Sequence, residues 1–90
     1  MNVARRYRIR GRVQGVGYRY FTLRIALGLG VRGWVRNLPG GDVEVHAEAA
    51  SAVLQNFRAE LERGPSASQV REVVEEVVAV TGHYASFEIV

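Results

Sequence analysis

One segment constrains this chain more than any other. Residues 11–19 read Gly-Arg-Val-Gln-Gly-Val-Gly-Tyr-Arg, so that an alternating strand pattern meets closely spaced glycines and then a helical pattern. Gly15 and Gly17 permit a tight turn and place no side chain over the backbone N–H groups, which can point inward beside the unpaired donors of the helix start. Arg19 adds a planar guanidinium that can hold two phosphate oxygens at once. The segment therefore predicts an anion-binding turn suited to phosphate.

Length and composition limit the chemistry that this turn could serve. Ninety residues suffice for one core, so we predict a single domain over residues 1–90. The absence of cysteine excludes thiolate chemistry, and two isolated histidines make a metal centre or metal cofactor unexpected. Because no apolar run could span a bilayer and the N-terminus does not resemble a signal peptide, we expect a cytoplasmic protein with no membrane partner. Catalysis would then rely on arginine, amide or backbone groups.

Charge is distributed unevenly along the chain. Residues 1–41 hold nine arginines and no acid (+9), and residues 42–90 hold three arginines and nine acids (−6), which together give the net charge of +3. The use of arginine without lysine is typical of a biased genome or a hot habitat. The excess of positive charge in the first half can also guide phosphorylated substrates toward the domain.

The hydrophobic pattern predicts strands and helices in a fixed order. The helix after the glycines ends near Gly28 and Gly30, and a second helix starts with Ser51 as its N-cap. Residues 70–80 have valines at helical spacing, but valine favours strands, and we interpret this segment as a strand. The predicted elements are a strand over residues 6–13, the first helix, a hairpin of strands over 33–38 and 43–48, the second helix up to Gly64-Pro65, and strands over 70–80 and 86–90.

This order predicts an α+β domain of the ferredoxin-like, split βαβ type, with the order βαββαβ and a short C-terminal strand. Its antiparallel sheet would carry two helices on one face and leave an arginine-lined face to solvent. His46 alternates with Glu44 and Glu48 on that polar face, so we expect His46 to be solvated. A fold of this type serves many functions and identifies none of them.

Two segments resemble the signatures of the acylphosphatase family. Residues 11–19 are similar to the first signature, and Gly33-Trp-Val-Arg-Asn37, followed by Val43-Glu-Val45, is similar to the second. The resemblance covers essentially the whole chain and supports the strand over 70–80. Tyr18 stands where the family usually has phenylalanine, which adds a hydroxyl group whose partner the sequence does not identify.

The resemblance implies an enzyme that hydrolyses the carboxyl-phosphate anhydride of small acyl phosphates, without a metal or other cofactor. The implied catalytic residues are Arg19 and Asn37, with Asn37 orienting the attacking water. The implied phosphate-binding residues are Gly15, Val16, Gly17, Tyr18 and Arg19. Inorganic phosphate is expected as product and competitive inhibitor, nucleic acid is not expected as a partner, and we expect a monomer.

The residues alone leave other roles open for some of these side chains. Asn37 could begin the Pro39-Gly40 turn by bonding its own backbone. Gln14 could support the glycine-rich turn, but we interpret it as the polar end of a strand. Trp34 and Tyr20 are more typical of core or rim packing than of a surface that binds substrate.

Two other functions use the same predicted features. A non-catalytic domain that holds phosphate or carbamoyl phosphate would need the same turn and would differ in having no turnover. An RNA-binding module could use the arginine-lined sheet face. Glu44 and Glu48 disfavour the RNA-binding module, because acids beside the arginine strand would offset its charge.

Overall fold

Five strands and two helices follow one another in the computed structural model, which describes residues Met1–Val90. The predicted ferredoxin-like order is confirmed, including a strand over the valine-rich segment. Neither helix is long and apolar enough to cross a membrane. The elements are β1 (Asn2–Arg12), α1 (Tyr18–Leu29), β2 (Arg32–Asn37), β3 (Val43–Ala50), α2 (Ser51–Arg63), β4 (Gln69–Val78) and β5 (Phe87–Ile89).

The five strands form one sheet in the order β4-β1-β3-β2-β5. The first four are antiparallel to their neighbours, as expected, and β5 joins β2 in parallel, which makes the sheet mixed. Because β3 runs antiparallel to both β1 and β2, the carboxyl ends of β1, β2 and β5 lie at the same end of the sheet. We call it the loop end, since β1 continues there into the glycine loop, residues 13–17.

Both helices pack against one face of the sheet and enclose the core. In β1 the alternation of side chains places Tyr7 and Ile9 in this core, while Arg8 and Arg10 are exposed on the opposite, open face. Leu54, Phe57 and Leu61 form the buried stripe of α2, at the spacing expected for one helical face. The rings of Tyr7 and Phe57 meet edge to face with centroids 6.0 Å apart, which joins the helix layer to the centre of the sheet.

The hydroxyl of Tyr18 has a partner inside the core. It donates a hydrogen bond of 2.7 Å to the backbone carbonyl of Leu61, near the end of α2. Burial raises the pKa of Tyr18, so the group remains a neutral donor. Tyr18 is also the first residue of α1, and this bond therefore fixes the start of α1 against α2.

One predicted helix start differs in the structure. Ala50, in extended conformation, is the N-cap of α2, and Ser51 is already the first helical residue. No side chain caps this end. The prediction of Ser51 as N-cap was wrong because β3 continues through Ala50 and passes directly into α2 with no connecting residue.

The expectation that His46 is solvated is also wrong. The strands β4 and β5 lie at opposite edges of the sheet, so the crossing segment, residues 79–86, must pass from one edge to the other. It covers His46 and Glu48, which are 1% and 4% exposed. The carboxylate of Glu48 accepts hydrogen bonds from both Thr81 donors at 3.1 and 2.9 Å and from the Gly82 amide at 3.0 Å. These contacts hold the crossing segment on the open face.

Candidate active site

The glycine loop presents backbone donors that have no partner in the protein. Gly15 and Gly17 have φ values of 75° and 79°, a left-handed conformation that glycine adopts without strain. The backbone amides of residues 15–17 form no backbone hydrogen bond. Gly17 is also the N-cap of α1, and no side chain caps this helix end. The loop and the first turn of α1 therefore offer a set of free N–H groups in a region of positive helix-dipole potential.

The guanidinium of Arg19 adds full positive charge at the same place. Arg19 is the second residue of α1, and it is exposed and forms no salt bridge or hydrogen bond. The first turn of α1 contains no acidic residue that could neutralise it. By contrast, Arg8 pairs with Asp42 at 2.8 Å and Arg36 pairs with Glu44 at 2.7 Å on the open face. Arg19 is thus available for an anion in a way that these sheet arginines are not.

Asn37 lies at the loop end, at the last position of β2. The strand register aligns Ile9 of β1 with Val43 of β3 and Val43 with Asn37. The Oδ1 atom of Asn37 is buried and has no hydrogen-bond partner in the protein, whereas every other buried side-chain nitrogen or oxygen atom has one. Asn37 also forms no bond to the backbone of the turn that follows, so the turn-initiating role is not observed. A buried acceptor without a partner is rare in proteins and can accept a hydrogen bond from a water or a ligand.

A cavity of about 210 Å³ brings these groups together. Of the predicted site residues, Gly15, Gly17, Tyr18, Arg19 and Asn37 line it, together with Val13, Gln14, Tyr20 and Ile89. The ring of Tyr18 belongs to the core, which leaves its backbone amide as the group able to bind an anion.

Val16 is the predicted site residue that does not line this cavity. Its side chain packs against the hydrophobic core, so only its backbone could serve a ligand. A larger, more open groove of about 500 Å³ between the two helices contains none of the predicted site residues. The smaller cavity is therefore the candidate active site.

Gln14 is a site residue whose role the sequence analysis missed. Its Nε2 atom donates hydrogen bonds to the backbone carbonyls of Leu38 at 2.8 Å and Asp42 at 2.9 Å. The interpretation of Gln14 as a polar strand end is therefore wrong. The one signal in the sequence was its position within the glycine loop, because its acceptors are backbone atoms that no residue pattern reveals.

Comparison with known proteins identifies the family of this chain. A family model described as Acylphosphatase matches residues 5–89. An acylphosphatase of Solibacter usitatus is 49% identical over 86 residues, which cover 96% of this chain and 88% of that protein. The crystal structure of acylphosphatase from Bacillus subtilis superposes with a TM-score of 0.94 at 34% identity, over 100% of this chain and 99% of that one. Full-length HypF contains a similar unit, with a TM-score of 0.92 at 33% identity, in 12% of its chain.

Proposed function

Because this chain belongs to the acylphosphatase family, we propose that its 210 Å³ cavity is the site at which acyl phosphates are hydrolysed. The reaction releases a carboxylate and inorganic phosphate. In this proposal the glycine loop and Arg19 bind the phosphoryl group, and Asn37 orients the water that attacks it. The supporting observation is that free amide donors, an unpaired arginine and a buried acceptor without a partner all line one small cavity.

The phosphoryl group needs donors wherever negative charge accumulates during transfer. The free amides of residues 15–17 and of the first turn of α1 can donate to its oxygens. The Arg19 guanidinium can hold two of these oxygens and neutralise their charge in the transition state. Because these groups are already placed before substrate binds, little reorganisation is required during the reaction.

Asn37 suits the positioning of water but not its deprotonation. Its side-chain amide has both a donor and an acceptor, and the Oδ1 atom has no protein partner. An amide is far too weak a base to remove a proton from water. Attack forms a new bond from the water oxygen to phosphorus and breaks the bond from phosphorus to the acyl oxygen, while the substrate phosphate takes the proton. An acyl phosphate is already activated, so positioning and electrostatics suffice.

Hydrolysis of benzoyl phosphate by the EDTA-treated protein tests this assignment, with p-nitrophenyl phosphate as the monoester control. We expect rapid turnover of benzoyl phosphate by the wild type and its loss in Arg19→Ala. Arg32→Ala is a matched control, because Arg32 is also exposed, forms no salt bridge and lies at the other end of β2. Equal activity of Arg19→Ala and the wild type would contradict the proposed site. Absence of turnover by a folded wild type would instead favour a phosphate-binding domain.

Inorganic phosphate should compete with substrate, because it is the product and fits the same donors. We therefore expect added phosphate to raise KM and leave kcat unchanged. The monomeric state and the cytoplasmic location stay predictions from the sequence, and size-exclusion chromatography tests the first of them.

A further inference from the structure

The side chain of Gln14 connects two parts of the active site that are distant in sequence. Gln14 lies between the end of β1 and the first glycine of the loop. Its two hydrogen bonds reach Leu38 and Asp42, in the connection between β2 and β3. Both acceptors are carbonyl oxygens, so the amide nitrogen must occupy this position, since the amide oxygen would be repelled there.

The two carbonyls that Gln14 contacts belong to Leu38 and Asp42, the residues that close the β2–β3 turn and that we call its neck. The Leu38 amide donates to the Asp42 carbonyl at 2.8 Å, and the Gly41 amide donates to the Leu38 carbonyl at 3.3 Å. Gln14 therefore binds both sides of this neck with one nitrogen atom. The turn between them contains two glycines, a residue type that loses much conformational freedom on ordering. The hydrogen bonds from Gln14 to the neck of this turn consequently limit how far the residues next to the turn can shift.

Asn37 immediately precedes the neck. Because Asn37 makes no side-chain hydrogen bond of its own, its position depends on the backbone that carries it. We propose that Gln14 is a positioning residue for hydrolysis. Its hydrogen bonds fix the distance between the glycine loop and the side-chain amide of Asn37. This inference rests on the proposed role of Asn37. A displacement of about 1 Å between reacting groups can reduce a rate by about 100-fold, so a small shift of the neck is sufficient.

The substitution Gln14→Met tests the proposal, because methionine has a similar length and no hydrogen-bond donor. We expect kcat for benzoyl phosphate to fall about 10-fold or more, while the inhibition constant of inorganic phosphate stays within about twofold. Phosphate affinity should persist because the loop amides and Arg19 remain in place. A purely structural role would lower the melting temperature and leave kcat of the folded enzyme unchanged, and that result would overturn the proposal.

A second variant and a control support this measurement. Gln14→Asn keeps an amide but is one methylene too short to bridge both carbonyls, and it should show the same loss of kcat. If Gln14→Met does not fold, Gln14→Asn provides the test. Gln55→Met places the same change on the exposed face of α2, where Gln55 makes no side-chain hydrogen bond. We expect this control to retain wild-type kcat.

A double-mutant cycle identifies the residue through which Gln14 acts. If Gln14 acts by positioning Asn37, then Gln14→Met should have almost no further effect on kcat in the Asn37→Ala background. Independent, multiplicative losses in the double variant would overturn the positioning role and leave the role of Asn37 intact. Full activity of Asn37→Ala alone would contradict the proposed role of Asn37 itself, and with it the coupling.

Discussion

Functional polar groups at the two ends of the sheet differ in whether they have partners within the protein. At the loop end, Asn37 has a buried acceptor with no partner and Arg19 has no carboxylate. At the other end, the backbone of Glu48 in β3 lies opposite that of Arg32 in β2. The buried carboxylate of Glu48 accepts hydrogen bonds from His46 and from the crossing segment. Polar groups without a protein partner are available to a ligand, whereas groups that are hydrogen-bonded within the protein hold a segment in place. The loop end is therefore suited to binding a ligand, as proposed above, and the other end, which we call the far end, holds the crossing segment in place.

We expect the largest loss of activity from a substitution at the loop end, even from one that keeps the charge. Arg19→Lys keeps the charge but replaces a planar guanidinium with an ammonium that cannot hold two oxygens in the same plane. We expect kcat/KM for benzoyl phosphate to fall about 100-fold or more, with weaker phosphate inhibition as well. The melting temperature should not fall, because Arg19 has no protein partner to lose. Activity close to wild type would show that charge alone suffices.

A second prediction separates binding from turnover within the loop end. Asn37→Ala should lower kcat about 100-fold, because water loses its positioning group, and leave the phosphate inhibition constant within about twofold. Stability should change little, because Oδ1 of Asn37 makes no hydrogen bond to the protein that the substitution would remove. Steady-state kinetics with phosphate as inhibitor and thermal unfolding measure both effects. A collapse of phosphate affinity would show that Asn37 binds phosphate rather than water.

The same contrast explains which parts of the site the sequence could predict. Gly15 and Gly17 were recognisable because their conformational freedom is a property of the residues themselves, and both indeed have positive φ. Asn37 was identified through the resemblance to the acylphosphatase family, and the strand register places the end of β2 at the same end of the sheet as the end of β1. The glycine positions depend on local backbone chemistry and the strand order on the hydrophobic pattern, and a sequence reports both well.

Two of the wrong predictions concern groups whose partners are distant in sequence, and the third concerns an element boundary. His46 fits the polar face of β3 by alternation, but Trp34 of β2 and Tyr84 of the crossing segment pack against its ring, with centroids 5.9 and 5.3 Å away, and bury it. Gln14 bonds to backbone carbonyls of the β2–β3 turn, which carry no signal in the sequence. The prediction of Ser51 as N-cap failed because β3, which was predicted to end at residue 48, extends to Ala50. In each case a tertiary contact or an element boundary overrode a local preference.

At the far end, we expect a substitution to lower stability with little loss of activity. Glu48→Gln removes the negative charge that accepts hydrogen bonds from Thr81 and Gly82. We expect the free energy of unfolding to fall by about 2 kcal/mol, the usual magnitude for hydrogen bonds to a buried charge. Benzoyl phosphate kcat at 25 °C should change by less than about twofold, because the loop end is intact. Glu88→Gln is the matched control, since Glu88 is exposed in β5 and forms no salt bridge.

The last prediction, which involves no loss of activity, concerns the acid dependence of stability. Burial alone would raise the pKa of Glu48, but hydrogen bonds from His46, Thr81 and Gly82 outweigh it and lower the pKa from 4.5 to about 2. A carboxylate whose pKa is lower in the folded state stabilises the fold above its unfolded pKa, and this contribution disappears as the pH falls toward the folded pKa. Denaturant unfolding at several pH values should therefore show wild-type stability falling between pH 4.5 and about 2 more steeply than that of Glu48→Gln. Parallel curves would mean that Glu48 is not the group that links the far end to pH, whereas convergence at low pH would assign this part of the acid sensitivity to the far end.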